Sequence, residues 1–286
     1  MGQEPDAGAG TTQEPDARND ELQQLTEENL ALRNRALAHP TVSAAQGILK
    51  ERYRLPGLQA AFDLLRGTSQ TYNIRLHTLA DAVIRIPGPE PRSVAWFPGR
   101  ARTGAPPLPG ITLARDAGPA VPQGAVLSAV LERVLDITET DMGNVQLAER
   151  QLLRLDKHQG LSRRFTDFFA FVDHAETSCS QAAQARQQVT VRDVETATVF
   201  DERSRQVILH AGSRACHSVP LLDEQGILRG VISSHHARPL TAGLTQSQLE
   251  ALRTASAAVG QWLSWHRRTV VLDALEHLHR TARRTP

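Results

Sequence analysis

The sequence is poor in cysteine: its 286 residues carry two, Cys179 and Cys216, which excludes a disulfide-stapled scaffold and suits a reducing compartment. No run approaches the ~18 consecutive apolar residues of a membrane helix, so no spanning segment is expected. Neither sign of charge is in excess, because 32 Lys and Arg stand against 31 Asp and Glu for a net charge of +1. Bulk basicity therefore says nothing about nucleic acid, and any such signal must be local. The first residues are acidic and polar instead of basic and then apolar, so no secretory signal is read and a cytoplasmic location is the expectation. The patterns C-x-x-C, H-E-x-x-H and G-x-S-x-G are absent, which leaves Cys179, Cys216, His210, His217, His235 and His236 without metal or nucleophile spacing. Neither catalysis nor a metal is expected. Cys179 stands where a helix should begin, and a helix N-terminus lowers a thiol pKa, so a redox sensor stays open as an alternative.

What is present is a soluble composition, 40% apolar and 22% charged, on a chain longer than the ~150 residues one domain usually takes. Residues 1–20 are polar, contain proline and repeat QEPDA, and read as a disordered tail. From residue 21, Leu22, Leu25, Asn29 and Leu32 recur at alternating spacings of three and four, the seam of a short coiled coil with a register-setting amide. A single amphipathic helix packed within the chain has the same signature. Pro40 should begin or kink a helix. Beyond it, apolar positions at helical spacing predict three helices up to residue 86, the first broken at Leu55, Pro56 and Gly57. Residues 87–122 hold nine of the 16 prolines and five glycines and read as a stiff, extended linker whose Trp96 and Phe97 could dock on a neighbour. Residues 123–266 read as an α+β domain. Strands are expected at Met142, Val145 and Leu147, at 152–157, 188–192, 215–222 and 227–233, with an antiparallel hairpin turning at Asp223 to Gly226 and a closing helix over 246–265. Residues 267–286 continue at helical spacing through Val271, Leu275, Leu278 and Ala282, a stripe with no assigned partner.

The local charge signal lies in the helical unit. Gln46 and Lys50 stand one turn apart on its first helix, while Arg66, Gln70 and Asn73 are spaced i, i+4 and i+7 on its second. Five bases, Lys50, Arg52, Arg54, Arg66 and Arg75, face two acids between Gln46 and Arg75, a local excess of +3. Guanidinium forks suit phosphate, and the amides of Gln and Asn can read unstacked bases. A charged helix face that is merely solvated has the same composition. Gly47, costly inside a helix by ~1 kcal/mol, suggests close approach by another helix or by a phosphate backbone.

Three blocks, Val42 to Lys50, Ala61 to Ser69 and Asn73 to Ala80, resemble the ANTAR domain in order and spacing over about residues 21–86. The resemblance implies a coiled coil leading to a three-helix head that binds tandem RNA hairpins and prevents transcription termination. Ala45, Gly47, Arg66 and Asn73 match the family pattern, whereas members commonly carry Lys at the position of Gln46. Asp141 to Leu147, Ser178-Cys179, Val191 to Val194, Arg214 to Leu221 and Gly230 to Ser233 resemble a GAF sensory domain over about 123–266. That resemblance implies a PAS-like fold, a central antiparallel sheet flanked by helices with a ligand cavity between sheet and loops. ANTAR proteins usually carry the GAF domain ahead of the head; here the head comes first.

The expectation is a dimeric regulator whose head binds structured RNA under control of the GAF-like domain, through an unidentified small-molecule ligand or a regulatory protein, and with no cofactor. Lys50, Arg66 and Arg75 would anchor phosphates, Gln46, Gln70 and Asn73 would sense loop bases, and Leu22, Leu25, Asn29 and Leu32 would pair the chains. The alternatives are a sensing or protein-interaction module without RNA binding, and the thiol redox sensor.

Overall fold

A computed structural model describes residues 14–90, 92–113, 121–149, 152–173 and 176–284. The chain opens with α1 (Glu14–Tyr53), a helix of 40 residues. The reading of residues 1–20 as one disordered tail is corrected, because α1 starts inside it; residues 1–13 lie outside the described residues. Pro40 neither begins nor ends a helix but lies inside α1. Its missing N–H leaves one carbonyl unbonded a turn earlier, at Ala36, and both residues are exposed, so solvent meets that carbonyl.

Helix α1 closes where Arg54 turns left-handed at φ 52°, with Leu55 N–H donating to the Lys50 carbonyl at 3.0 Å. The helices α2 (Leu58–Thr71) and α3 (Leu76–Arg85) follow. Ala45 and Leu49 of α1, Ala61 and Leu65 of α2, and Leu79, Ala80 and Val83 of α3 are buried together, the apolar stripes that the spacing anticipates.

The segment after α3 is not a free linker. Trp96 is buried in the head, its indole N–H donates to the Pro87 carbonyl at 2.9 Å, and the Arg52 guanidinium lies 5.0 Å from its ring centroid. The backbone N–H groups of Trp96 and Phe97 both donate to one Glu276 carboxylate oxygen, at 2.8 and 3.0 Å. Arg100 and Arg102 pair with Asp273. Both acids belong to α9 (Val270–Ala282), so the strap is fastened to the far end of the chain.

The second module starts with α4 (Gln123–Thr138). A six-stranded sheet in the order β3-β2-β1-β6-β5-β4 follows, with every neighbouring pair antiparallel. Its strands are β1 (Met142–Glu149), β2 (Leu152–Gln159), β3 (Phe171–Asp173), β4 (Val189–Val191), β5 (Ala215–Leu222) and β6 (Leu228–His236). The short β3 has no clear counterpart in the sequence pattern. Gly226, at φ 71°, makes the β5–β6 hairpin, and the Asp223 carboxylate accepts the N–H groups of Gln225 and Ile227 across the turn. One sheet face packs on α4 and on α8 (Gln246–Arg268), with Val145, Leu147, Val219, Leu221 and Ile232 beneath them. Helix α8 comes so close that a side-chain carbon at Gly260 would stand 2.0 Å from the Leu222 carbonyl oxygen. The other face is covered by α5 (Arg163–Phe168), α6 (Ser178–Ala185) and α7 (Glu202–His210) around Phe165, Phe169, Val207 and Val231.

Helix α9 leaves the sheet and returns to the head, where Val271, Ala274, Leu275 and Leu278 are completely buried among the residues of α1–α3. The unassigned stripe of the C-terminal segment thus completes the core of the first module. Leu275→Ala should therefore cost about 2–5 kcal/mol. Urea unfolding checks this; a loss below about 1 kcal/mol would mean that α9 only rests on a core already closed.

Candidate RNA-binding surface and sensor cavity

Of the six residues assigned to RNA, Lys50, Arg66, Gln70, Asn73 and Arg75 are exposed and Gln46 is half-buried. The Gln46 side chain donates to the Leu58 carbonyl at 3.0 Å, tying α1 to the start of α2, so its amide nitrogen already has a structural task. Lys50 lies open one turn further along α1. On α2, Arg66 pairs with Asp63 at 3.1 Å, both well exposed, and its guanidinium lies 6.0 Å from the Phe62 ring. An exposed pair of this kind is worth about 0–1 kcal/mol, so a phosphate can take Arg66 from Asp63 at little cost. Gln70 stands on the same face, one turn on.

Asn73 is not a third position on the α2 face. Tyr72 ends the helix, and Asn73 is left-handed at φ 48°, with its N–H on the Gln70 carbonyl at 3.2 Å and the Ile74 N–H on Ser69 at 3.0 Å. This pair of bonds is a Schellman stop, which Asn tolerates better than other non-glycine residues. The residue type thus has a backbone reason, while the side chain stays exposed beside Gln70. Gly47 has no atom within 4 Å of where a Cβ would be, which removes close approach by another helix as the explanation for that glycine.

Arg75 is taken up by the second module. Its guanidinium donates to the Asp156 carboxylate at 2.9 Å and to the Asp156 carbonyl at 3.2 Å, on strand β2. Around it runs a seam of charge. His77 of α3 meets Glu149 at 2.9 Å, and Arg154 holds Glu149 at 2.9 Å and Asp156 at 3.4 Å. Asp81 of α3, almost fully buried, is shared by Arg85 at 2.8 Å and Arg267 of α8 at 3.0 Å. Burial pushes the Glu149 carboxyl up, but the hydrogen bonds from His77 and Arg154 and the charge on Arg154 outweigh it and hold the group at about 2. This seam escapes sequence reasoning because its partners lie up to 186 residues apart. With Arg52 on Trp96 and Arg75 on Asp156, the open cations of the local basic excess are Lys50, Arg54 and Arg66.

On α1, Leu25 and Leu32 are 55% and 62% exposed, and Asn29 is exposed with them. The Leu22 side chain lies outside the described residues. This stripe is open in the single chain instead of packing within it.

In the second module, Cys179 sits at the second residue of α6 and Cys216 on β5, both buried. Burial raises both thiols, Cys216 to about 12, and for Cys179 it outweighs the helix terminus and the Thr177 hydroxyl at 3.1 Å. That disfavours the thiolate a redox sensor needs. His235 and His236 are both buried on opposite sheet faces. His235 bonds Ser213 at 3.0 Å and Asn144 at 3.0 Å, and His217 bonds Thr190 at 2.8 Å and Gln188 at 2.9 Å. Among the described residues no group of three His, Cys, Asp or Glu could hold a metal ion, and no helix is long and apolar enough to cross a membrane. A cavity of about 450 Å³ opens between α6, the ends of β2 and β6, and the head, with Arg85 and Arg267 in its wall. It lies at the junction of the modules and not between sheet and loops alone.

A helical head with a polar outer side, joined by a charged seam to a helix-covered antiparallel sheet, defines a two-module architecture with the cavity where the modules meet. The ANTAR domain model matches residues 30–84 and the GAF domain model residues 124–263. The chain therefore carries an ANTAR domain, a class of RNA-binding antiterminator module, followed by a GAF sensor domain. No curated protein matches it. Among solved structures it is similar to a domain of a two-component sensor histidine kinase protein from Sinorhizobium meliloti, at 21% identity, covering 47% of this chain and 85% of that one with a TM-score of 0.39. It is also similar to the GAF domain of a phosphoenolpyruvate-protein phosphotransferase from Acinetobacter, at 15% identity, 50% and 83% coverage and a TM-score of 0.42. A third is fRMsr of Staphylococcus aureus in its reduced form, at 15%, 48% and 82% coverage, and 0.38.

The buried histidines make stability depend on pH. Burial depresses His217 to about 4, His235 to about 3 and His266 to about 4, with the neighbouring His236 adding to the first two. Below an unfolded-state pKa near 6.5 the unfolded chain binds protons that the native one refuses. The stabilisation is thus complete above that value and is lost as pH falls toward 4 and 3. Urea unfolding at pH 7.5 and 5.5 should differ by roughly 1 kcal/mol per histidine. A flat profile would contradict their neutral burial.

Proposed function

We propose that this protein is an RNA-binding transcription antitermination regulator in the cytoplasm, acting as a homodimer on tandem RNA hairpins under control of its GAF domain. No bond is made or broken; the output is occupancy of a transcript. The observation that carries this reading is the coincidence of the ANTAR match with exposed polar side chains in the same segment, Lys50 on α1, Arg66 and Gln70 on α2, and Asn73 just past its end. Lys50 and Arg66 anchor phosphate, while Gln70 and Asn73 meet bases in the loop, where unstacked edges are accessible. Gln46 contributes its carbonyl oxygen, since its nitrogen is held by Leu58. Two heads joined along the open α1 stripe meet two hairpins on one RNA, so the second contact is intramolecular and gains from effective concentration.

Control follows from Arg75. While the head is docked on the sensor, Asp156 occupies this cation; when the modules separate, Arg75 joins the phosphate-binding set. The GAF domain thereby sets the number of cations facing RNA.

Arg66→Ala should weaken binding to a paired-hairpin RNA by about tenfold and reduce the salt slope by about one. Filter binding at several salt concentrations measures both, and equal binding of matched and scrambled hairpins would leave only nonspecific charge. Leu32→Asp should convert the dimer to monomer in sedimentation and lower affinity for paired but not single hairpins. A dimer that survives this substitution would pair through another surface.

A further inference from the structure

The cavity at the head–sensor junction has two kinds of wall. One is apolar, with Leu153, Val172, Ala183 and Leu228 from β2, β3, α6 and β6. The other carries three guanidinium groups, Arg85 of α3, Arg229 of β6 and Arg267 of α8, together with Glu149. Its volume of about 450 Å³ is that of a small-molecule site, for which ~300–1,000 Å³ is usual.

The charges in this wall do not balance among the described residues. Glu149 is paired with Arg154 at 2.9 Å. Arg229 has its own carboxylate, Asp223 at 2.6 Å. Arg85 and Arg267 divide a single one, Asp81, which leaves one positive charge in excess. Arg85 meets Asp81 only through Nε, so its two terminal amino groups stay available for a fork-like contact. Burial opposes the charge on Arg267, Asp81 and more weakly Glu149 support it, and the nearby Arg229 and Arg85 oppose it, with a net downward shift. An incoming anion would relieve that repulsion.

We propose that this cavity binds a small organic carboxylate, its charged end held by Arg85 and Arg267 and its hydrocarbon body lying on Leu153, Val172 and Leu228. The apolar wall selects against a bare inorganic ion, and the guanidinium pair selects against a neutral molecule of the same shape. Because Arg85 belongs to the head and the other walls to the sensor, the bound molecule clamps the two modules together. Binding itself does not rest on the RNA reading, since the site exists in the protein alone.

The test is calorimetric titration of the full-length protein with straight-chain carboxylates from butanoate to decanoate, with the corresponding amides, and with inorganic phosphate. At least one carboxylate should bind at one per chain, with its amide and phosphate at least tenfold weaker. Arg85→Gln should weaken that binding about tenfold, and Ala183→Phe, which fills the cavity, should abolish it. Circular dichroism establishes that each variant is folded; Arg85 is 42% exposed along its side chain and Asp81 keeps Arg267 when Arg85 is replaced, so this variant decides the matter if the Phe variant does not fold. The proposal is overturned if no carboxylate in the series binds, if the amide or phosphate binds equally well, or if Arg85→Gln changes nothing. RNA plays no part in these titrations, so a head indifferent to hairpins would leave their outcome unaltered.

Discussion

The return of α9 to the head is the constraint on which the rest of the molecule depends. Val271, Ala274, Leu275 and Leu278 have no exposed surface, and the large side chains among them contribute about 1.5–3 kcal/mol each by burial. Helices α1–α3 alone would leave the side of α2 and α3 that carries Leu65 and Leu79 open to water. Closing the core with the chain's last helix also fixes the strap between the modules, because Glu276 and Asp273 of α9 accept from Trp96, Phe97, Arg100 and Arg102. Head, strap and C-terminal helix are therefore one body, and the strap's prolines stiffen a packed segment instead of spacing two free ones.

The charged seam acts differently from this apolar closure. Asp81, Asp156 and Glu149 are largely or fully buried, and each meets at least one guanidinium. Buried pairs of this kind return little net stability, because desolvation offsets attraction, but removing one partner is costly. Their contribution is to orientation: the head has one way to lie on the sheet in which all three carboxylates are met. The apolar contact of α9 holds the head near the sensor, and the seam selects its pose.

Much of this was legible in the sequence, and the gaps have physical causes. Helical spacing located α2, α3, α4 and α8, alternation located β1, and Asp223 with Gly226 marked the hairpin, because each of these signals is local. The stripe of Val271, Leu275 and Leu278 was equally plain, yet spacing states only that a face is apolar and not what covers it. Asn73 was read as a position on a helical face because its side chain is polar and correctly spaced; its left-handed backbone is decided by the chain after it. Pro40 reads as the start or a kink of a helix, but on the solvent side of a long helix the missing hydrogen bond is taken up by water. Arg75 and Asp156 are 81 residues apart, and nothing in either neighbourhood announces the other. The candidate RNA face was visible as types and spacing; which of its cations are already engaged became clear only from the packing.

The order of the domains in space differs from their order along the chain. The ANTAR head precedes the GAF domain along the chain, the reverse of the order that the family resemblance implies. Yet α8, which lies against β5 so closely that Gly260 admits no side chain, runs through Thr269 directly into α9, and α9 is part of the head's core. The sensor's terminal helix thus still leads into the helical head, entering from the chain's end instead of its beginning. Leu275 and Leu278 of α9 are buried with the helices of the head, so the sheet-packed α8 is joined to the head's core without passing through the proline-rich strap. The join at α9 lies in the head's core, while Leu25 and Leu32 of α1 are uncovered in the single chain.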